Sequence, residues 1–262
     1  DSNYQFVKVY RQKVPRRGAP VKGAPQGAGA AKRDVLVLAL DHLVHGYVDP
    51  ADPTYLHYGY ERVYRDVARD FVGNRKRLRA FFIGGGAYTF PRLLLHLYPG
   101  STIDVAEIDP MVVEANHVAM KLPRDTPIRT IALDGRNAVS DMPASRRYDL
   151  IFGDAFNDLS IPAHLITEEF TQALAAHLAP RGAYLVNVID DFEVGKLLCS
   201  FVATMERVFP HVYVFSTSRW GAAAGRETFV VAGSRVPLAT AKLWVAGHET
   251  AREGSLLTAT GR

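Results

Sequence analysis

Apolar positions along this chain fall into short unbroken runs, separated by stretches in which they recur every three or four residues. Ala80–Ile83 is one such run. It stops at Gly84-Gly85-Gly86, and Leu93, Leu94, Leu95 and Leu97 follow at helical spacing, leading to a second apolar strand that ends at Glu107. Further strands are predicted at Ile128–Leu133, Leu150–Gly153, Ala183–Ile189, Val212–Ser216 and Phe229–Ala232. Helices are predicted between them, including Thr167–Leu178 and Pro110–Lys121, where the proline suits a first helical turn. This βαβ alternation over residues 70–233 implies a parallel sheet. The last two strands, joined by Thr217–Arg226, are expected to be antiparallel. Residues 1–65 read as a small β-rich unit, with Tyr4–Tyr10 alternating and Val35–Leu40 as a second strand. Residues 234–262 form a tail with no legible role, and no internal repeat is visible.

Chemistry gathers at the ends of the predicted strands. Three consecutive glycines allow positive φ and close backbone approach to a ligand. Glu107, about twenty residues further on, stands where an acid accepts hydrogen bonds from a ribose diol. A glycine turn in any α/β protein is the plainer alternative for these glycines, but the acids that follow favour a nucleoside. Glu107 and Asp109 end the second strand, Asp134 the third, Asp154 the fourth and Asp190 the fifth, at the edge where doubly wound sheets bind ligands. Asp134-Gly135 is placed to accept from an adenine exocyclic amine, with the glycine letting the base lie close. Asp154 leaves the buried run Leu150–Gly153 facing the cleft, where an acid holds a cationic group or takes a proton from an amine.

Composition narrows the class. The chain has 262 residues, 48% of them hydrophobic and 22% charged, enough for one substantial domain with an appendage. A single cysteine, Cys199, excludes an internal disulfide framework and a multi-cysteine metal site. The histidines show no HExxH or comparable spacing, so no metal is expected; His42 and His45 are read as structural or amine-pocket residues. The net charge of +4 is concentrated at the start, with eight basic residues and no acid between Ser2 and Arg33. Val14–Ala31, mostly Pro, Gly and Ala, is expected to be a mobile, solvated basic loop. Aromatic residues do not interleave with its charges, which argues against nucleic acid as a partner. No apolar run approaches the roughly 18 residues of a membrane span, and no signal peptide is expected. The chain opens at Asp1 without an initiator Met, so an upstream segment is expected to have been removed.

GGG at Gly84–Gly86, AEIDPMVVEAN at Ala106–Asn116, the DG of Asp134-Gly135 and the DAF of Asp154–Phe156 together resemble the spermidine synthases, the polyamine aminopropyltransferases. The opening DSNYQ and the LALDHLVHGYVDP segment resemble the amino-terminal β-domain of that family. The likeness covers roughly residues 1–233. It is closest to bacterial members fused to a membrane-embedded segment, which carry a similar GGGxYTFPR and DAFN. It implies an α/β fold: a seven-stranded methyltransferase-like Rossmann domain with a small N-terminal β-domain. It also implies binding of decarboxylated S-adenosylmethionine, whose aminopropyl carbon is attacked by an amine, releasing methylthioadenosine. Carried over by motif, Glu107 would hold the ribose and Asp134 the adenine. Gly84, Gly85 and Gly86 would touch the nucleoside, with Asp109 and Gly135 beside it, and Gln5 would reach the donor from the β-domain. Asp154 would orient and deprotonate the amine, and Tyr60 and Glu61 would line its pocket. The resemblance leaves room for a homo-oligomer and for anchoring at the cytoplasmic side of a membrane through an upstream segment.

Two departures stand out. The family's GGGDGG has Ala87 in place of the Asp that grips the aminopropyl ammonium, and its DxxD has Asn157 in place of the second acid, with Asp158 one place on. An Asp at 87 would repel the carboxylate of intact S-adenosylmethionine; Ala87 removes that barrier. Arg92, with Tyr88 and Asn157 also on the substrate side, would be placed to pair with such a carboxylate, unless it is simply a solvent-facing helix residue, the plainer reading. The expectation that follows is a lyase acting on the intact donor, whose own carboxylate attacks to give methylthioadenosine and homoserine lactone. Aminopropyl transfer to a polyamine is the alternative, and a methyltransferase or a non-catalytic nucleoside sensor are further ones.

Overall fold

The computed structural model describes residues 2, 4–15, 32–156, 161–191, 194–217, 225–238 and 255–261. The basic loop, except for its first two residues, lies outside them, as do Asn157 and most of the Thr217–Arg226 connection.

Two sheets make up the fold. Strands β1 (Val7–Pro15), β2 (Lys32–Leu40) and β3 (Leu43–Val48) form an antiparallel sheet in that order. The second sheet contains β4 (Arg79–Ile83), β5 (Thr102–Ala106), β6 (Ile128–Ile131), β7 (Tyr148–Gly153), β8 (Leu178–Asp191), β9 (His211–Ser216), β10 (Arg226–Ser234) and β11 (Ser255–Gly261). Its order is β6-β5-β4-β7-β8-β10-β9-β11. Strands β4 to β8 are mutually parallel, and β10 runs antiparallel to both β8 and β9 as expected. Seven of these strands make the methyltransferase-like sheet. The eighth, β11, pairs with β9 from within the segment that had no legible role.

The unbroken apolar runs arise because helices cover both faces of the large sheet. On β4, Ala80 and Phe82 enter the core beneath α1 (Gly59–Val72) and α2 (Thr89–Leu97). Phe81 and Ile83 point the other way, toward α4 (Gly135–Ser140), α5 (Glu168–Ala176) and α6 (Leu197–Val208). Phe152 repeats the first orientation on β7 and Ile151 the second. Each of these phenylalanines and isoleucines, fully buried, contributes roughly 1.5–3 kcal/mol. The expected boundary near residue 65 falls inside α1, whose Val63, Tyr64, Val67, Ala68 and Val72 belong to the core of the large sheet. Their spacing of three and four residues is that of a helix with one apolar stripe.

Helix ends follow local side chains. Asp109 caps α3 (Pro110–Val118) by accepting the Met111 N–H at 2.8 Å, and Thr167 caps α5 by accepting that of Phe170 at 3.2 Å. The N-terminal sheet docks through Leu36, Leu38, Leu40 and Val48 against Ala87, Val112 and Met120, so it closes over the carboxyl ends of the parallel strands. Strand order reverses beside β4, where the chain crosses from β6 back to β7. A crevice at that switch point is where such sheets bind ligands.

Candidate active site

A cavity of about 850 Å³ occupies this crevice, lined by both sheets. The loop after β4 forms one wall. Gly84 has φ +93° and Gly86 φ +48°, in the left-handed half of backbone space. A Cβ on Gly84 would stand 2.5 Å from the Asp154 carbonyl oxygen, so the glycine lets β4 and β7 end side by side. Glu107 holds the loop open. Its Oε2 accepts the N–H groups of Gly85 at 2.8 Å and Gly86 at 3.3 Å, and its Oε1 that of Asp109 at 3.0 Å. Burial pushes the carboxyl up from its ordinary value, and these three hydrogen bonds oppose the shift. A carboxylate offers about four acceptor sites, so Glu107 keeps capacity toward the cavity it lines.

At the far end of the same wall, Asp134 caps α4 with Oδ1, accepting from Arg136 N at 2.8 Å and Asn137 N at 3.4 Å. Its Oδ2 lies 2.9 Å from Nε2 of His164, which belongs to a short turn at Ala163–Leu165. Burial works against ionisation of Asp134, but the contacts with His164 and Arg136 outweigh it and hold its pKa below the usual value. The first residues of the chain fold across the opening. Ser2 Oγ donates to Asp109 Oδ2 at 2.6 Å, and Tyr4 and Gln5 line the cavity.

The opposite wall comes from α1. Tyr60 donates its hydroxyl to Asp154 Oδ2 at 2.9 Å, and Asn187 Nδ2 donates to Asp154 Oδ1, also at 2.9 Å. Burial raises the Asp154 carboxyl, and both hydrogen bonds lower it. Because a carboxylate cannot donate, Asn187 must turn its amide nitrogen to Asp154. That leaves its Oδ1 buried without a partner beside the acid. Glu61, 2% exposed, lines the same region and accepts the Tyr58 N–H at 3.0 Å. Burial pushes its carboxyl up to about 8. The rings of Tyr58 and Tyr60 stack at 5.7 Å, with Tyr64 edge-on to Tyr60 at 5.5 Å.

The structure therefore gathers Gln5, Tyr60, Glu61, Gly84, Gly85, Gly86, Glu107, Asp109, Asp134, Gly135 and Asp154 around one cavity. Tyr88 and Arg92 do not line it. Tyr88 is fully buried, with its hydroxyl 2.9 Å from Thr130 Oγ1, and Arg92 donates to the Met120 carbonyl at 3.0 Å. Asp190 caps α6 instead, accepting the Leu198 N–H at 2.8 Å. Asn187 and His164 escaped the sequence reading. The first left a faint signal as the one polar residue in the apolar run Leu185–Ile189; the second left none. Among the described residues no group of His, Cys, Asp or Glu is arranged to hold a metal ion, and no helix is long and apolar enough to cross a membrane.

The sheet order, the glycine loop and the strand-end acids define a methyltransferase-like α/β domain with a small β-domain over its cleft. No family model matches the chain. A polyamine aminopropyltransferase from Vibrio vulnificus (strain CMCP6) is 31% identical over 170 residues, covering 64% of this chain and 54% of that protein. The match thus spans about half the length of that relative. A probable spermidine synthase from Corynebacterium glutamicum ATCC 13032 superposes with a TM-score of 0.78 at 21% identity, over 98% of this chain and 88% of that one. A spermidine synthase in complex with the transition state analogue AdoDATO superposes at 0.62 with 20% identity, over 80% of this chain and 72% of the other. The chain is thus similar in sequence to polyamine aminopropyltransferases and shares the fold of spermidine synthases.

Proposed function

We propose that the chain is an aminopropyltransferase that moves an aminopropyl group from decarboxylated S-adenosylmethionine to a cationic amine such as a diamine. The observation that carries this reading is Asp154, held between Tyr60 and Asn187 and facing the cavity. An attacking amine would donate to Asp154 and to the free Oδ1 of Asn187. Its nitrogen would then form a bond to the carbon beside the sulfonium as the sulfur–carbon bond breaks. Methylthioadenosine leaves with the electron pair, and the proton passes from nitrogen to Asp154. A carboxyl raised by burial is a better base for that step than an exposed one. Tyr58, Tyr60 and Tyr64 would cover the amine's methylene groups, and Glu61 would face its distal ammonium. Glu107 and Asp134 are the acceptors for ribose and adenine.

The likeness to curated aminopropyltransferases, and the name of the Vibrio relative, support transfer over the lyase expected from the sequence. A second reading, in which intact S-adenosylmethionine is the donor, is favoured by one observation: Ala87 lines the cavity without the acid that would repel a carboxylate. One experiment tests both. The protein is incubated with decarboxylated donor plus putrescine, and separately with intact donor alone, while methylthioadenosine is followed by mass spectrometry. Transfer predicts product only in the first mixture, with turnover falling about 100-fold or more in Asp154→Asn. Methylthioadenosine from intact donor alone would replace transfer by the lyase, and product in neither mixture would refute both.

A further inference from the structure

The Asp134–His164 contact is not explained by the fold. The His164 side chain is 47% exposed and that of Asp134 21%, and a pair open to water in this way adds little to stability. It nevertheless lies on the cavity wall, and its geometry is controlled from both sides. Arg136 donates its backbone N–H to Asp134 Oδ1 at 2.8 Å and, through Nη1, donates to the His164 carbonyl at 2.7 Å and to Thr167 Oγ1 at 3.3 Å. One residue thus fixes the carboxylate and the turn that carries the imidazole. Cation–π packing of the same guanidinium on Phe170, 5.8 Å from the ring centroid, anchors it to α5. An ionised carboxylate only accepts, so the shared hydrogen sits on Nε2 of His164.

We propose that His164 is a positioning residue for the nucleoside base, holding Asp134 Oδ2 in the orientation that accepts the exocyclic amine of a 6-aminopurine. The inference rests on the nucleoside-binding reading of the cavity. Oδ1 is engaged by two backbone N–H groups, so Oδ2 is the oxygen left for a base. Oδ2 has a second acceptor direction besides the one His164 uses. With Oδ1 held by the backbone and His164 occupying one side of Oδ2, the second acceptor direction of Oδ2 is the one left for a base in the cavity that both residues line. A purine lacking the 6-amino group makes no use of this acceptor.

The test is equilibrium binding of methylthioadenosine and of its 6-desamino analogue to the wild-type protein, His164→Ala and His164→Gln. The proposal expects His164→Ala to weaken methylthioadenosine about tenfold while changing the analogue less than about twofold. His164→Gln, which keeps an N–H within reach of Asp134, is expected to recover most of the loss. In turnover, KM for the donor rises and kcat holds. Equal weakening of both ligands would assign His164 to the loop alone and overturn the proposal, as would unchanged binding of methylthioadenosine. Failure of both ligands to bind the wild-type protein would be a different result, removing the nucleoside reading itself. Circular dichroism of both variants separates loss of fold from loss of orientation.

Discussion

Tyr60→Phe tests the chemistry of the acid most directly, because it removes one oxygen and keeps the ring. Tyr60 stands between Tyr58 and Tyr64, and phenylalanine preserves both contacts. What disappears is the hydrogen bond to Asp154 Oδ2 at 2.9 Å. Burial drives the Asp154 carboxyl upward, and the Asn187 and Tyr60 hydrogen bonds oppose it, so losing one raises it further. The tyrosine hydroxyl is itself shifted well above its ordinary value by burial, so it stays a donor throughout the working range. A hydrogen bond to a charged group contributes about 1.5–3 kcal/mol, and one pKa unit corresponds to about 1.4 kcal/mol. The expected shift is therefore about one unit or slightly more, since the protonated acid also keeps some attraction for the hydroxyl.

The sign follows from the role. A base works when ionised, so raising its pKa lowers activity below that pKa and leaves the plateau above it untouched. In the pH profile of kcat/KM for methylthioadenosine release, the acid limb of Tyr60→Phe should move to higher pH by about one unit. Activity on the limb falls about tenfold, and the two profiles converge at alkaline pH. Protonation of the free amine substrate also shapes this limb, but identically in both proteins, so the difference isolates Asp154. A loss of equal size at every pH, with the limb unmoved, would refute the reasoning and reduce Tyr60 to a wall of the pocket.

Two further outcomes follow from the same cavity. Glu61, raised by burial from 4.5 to about 8, binds a proton in the folded state that the unfolded chain has released. Stability should therefore fall by about 1.4 kcal/mol per pH unit between those values, and Glu61→Gln should flatten that slope and be the more stable protein at pH 8 in urea titrations; parallel stability curves would count against it. Gly84→Ala places a methyl group 2.5 Å from the Asp154 carbonyl oxygen at a φ of +93°. It should cost at least about 2 kcal/mol in stability and most of the turnover, and wild-type values for both would show that the loop yields freely.

The glycine loop and its acids were legible because their signals are local. A buried run, three glycines, a helical repeat and a strand-end acid occur in sequence order from Ala80 to Glu107. Asn187 was not legible, because its role depends on register. Gly153 pairs with Val186, which sets Asn187 beside Asp154 across the parallel β7–β8 ladder. His164 meets Asp134 only after the chain has returned past β7, a contact spanning 30 positions. The expected strand at Tyr4–Tyr10 begins instead at Val7. Before that point the chain is turned aside by Ser2, whose hydroxyl accepts the N–H groups of Tyr4 and Gln5, and by Asp41, which accepts that of Phe6. Alternation alone does not report such tertiary hydrogen bonds.

The choice between donors turns on charge. The sequence argument for the intact donor had two supports, the absence of an acid at Ala87 and the presence of Arg92 close behind. Ala87, 2% exposed, packs so closely on β3 that a Cβ on Gly46 would lie 2.4 Å from its own, leaving that position little room for anything larger. Arg92 is turned toward the Met120 carbonyl, off the cavity wall, and burial lowers its pKa to about 10. The second support therefore has no contact with the cavity. What does line it are the acids Glu107, Asp109, Asp134 and Asp154, with no Lys or Arg among the described lining residues. Inside a partly desolvated cleft such an arrangement favours cations and opposes added carboxylates. A decarboxylated sulfonium and a protonated amine both satisfy that field. An intact donor would bring one more negative charge into it, and Ala87 alone supplies no positive charge to offset that one.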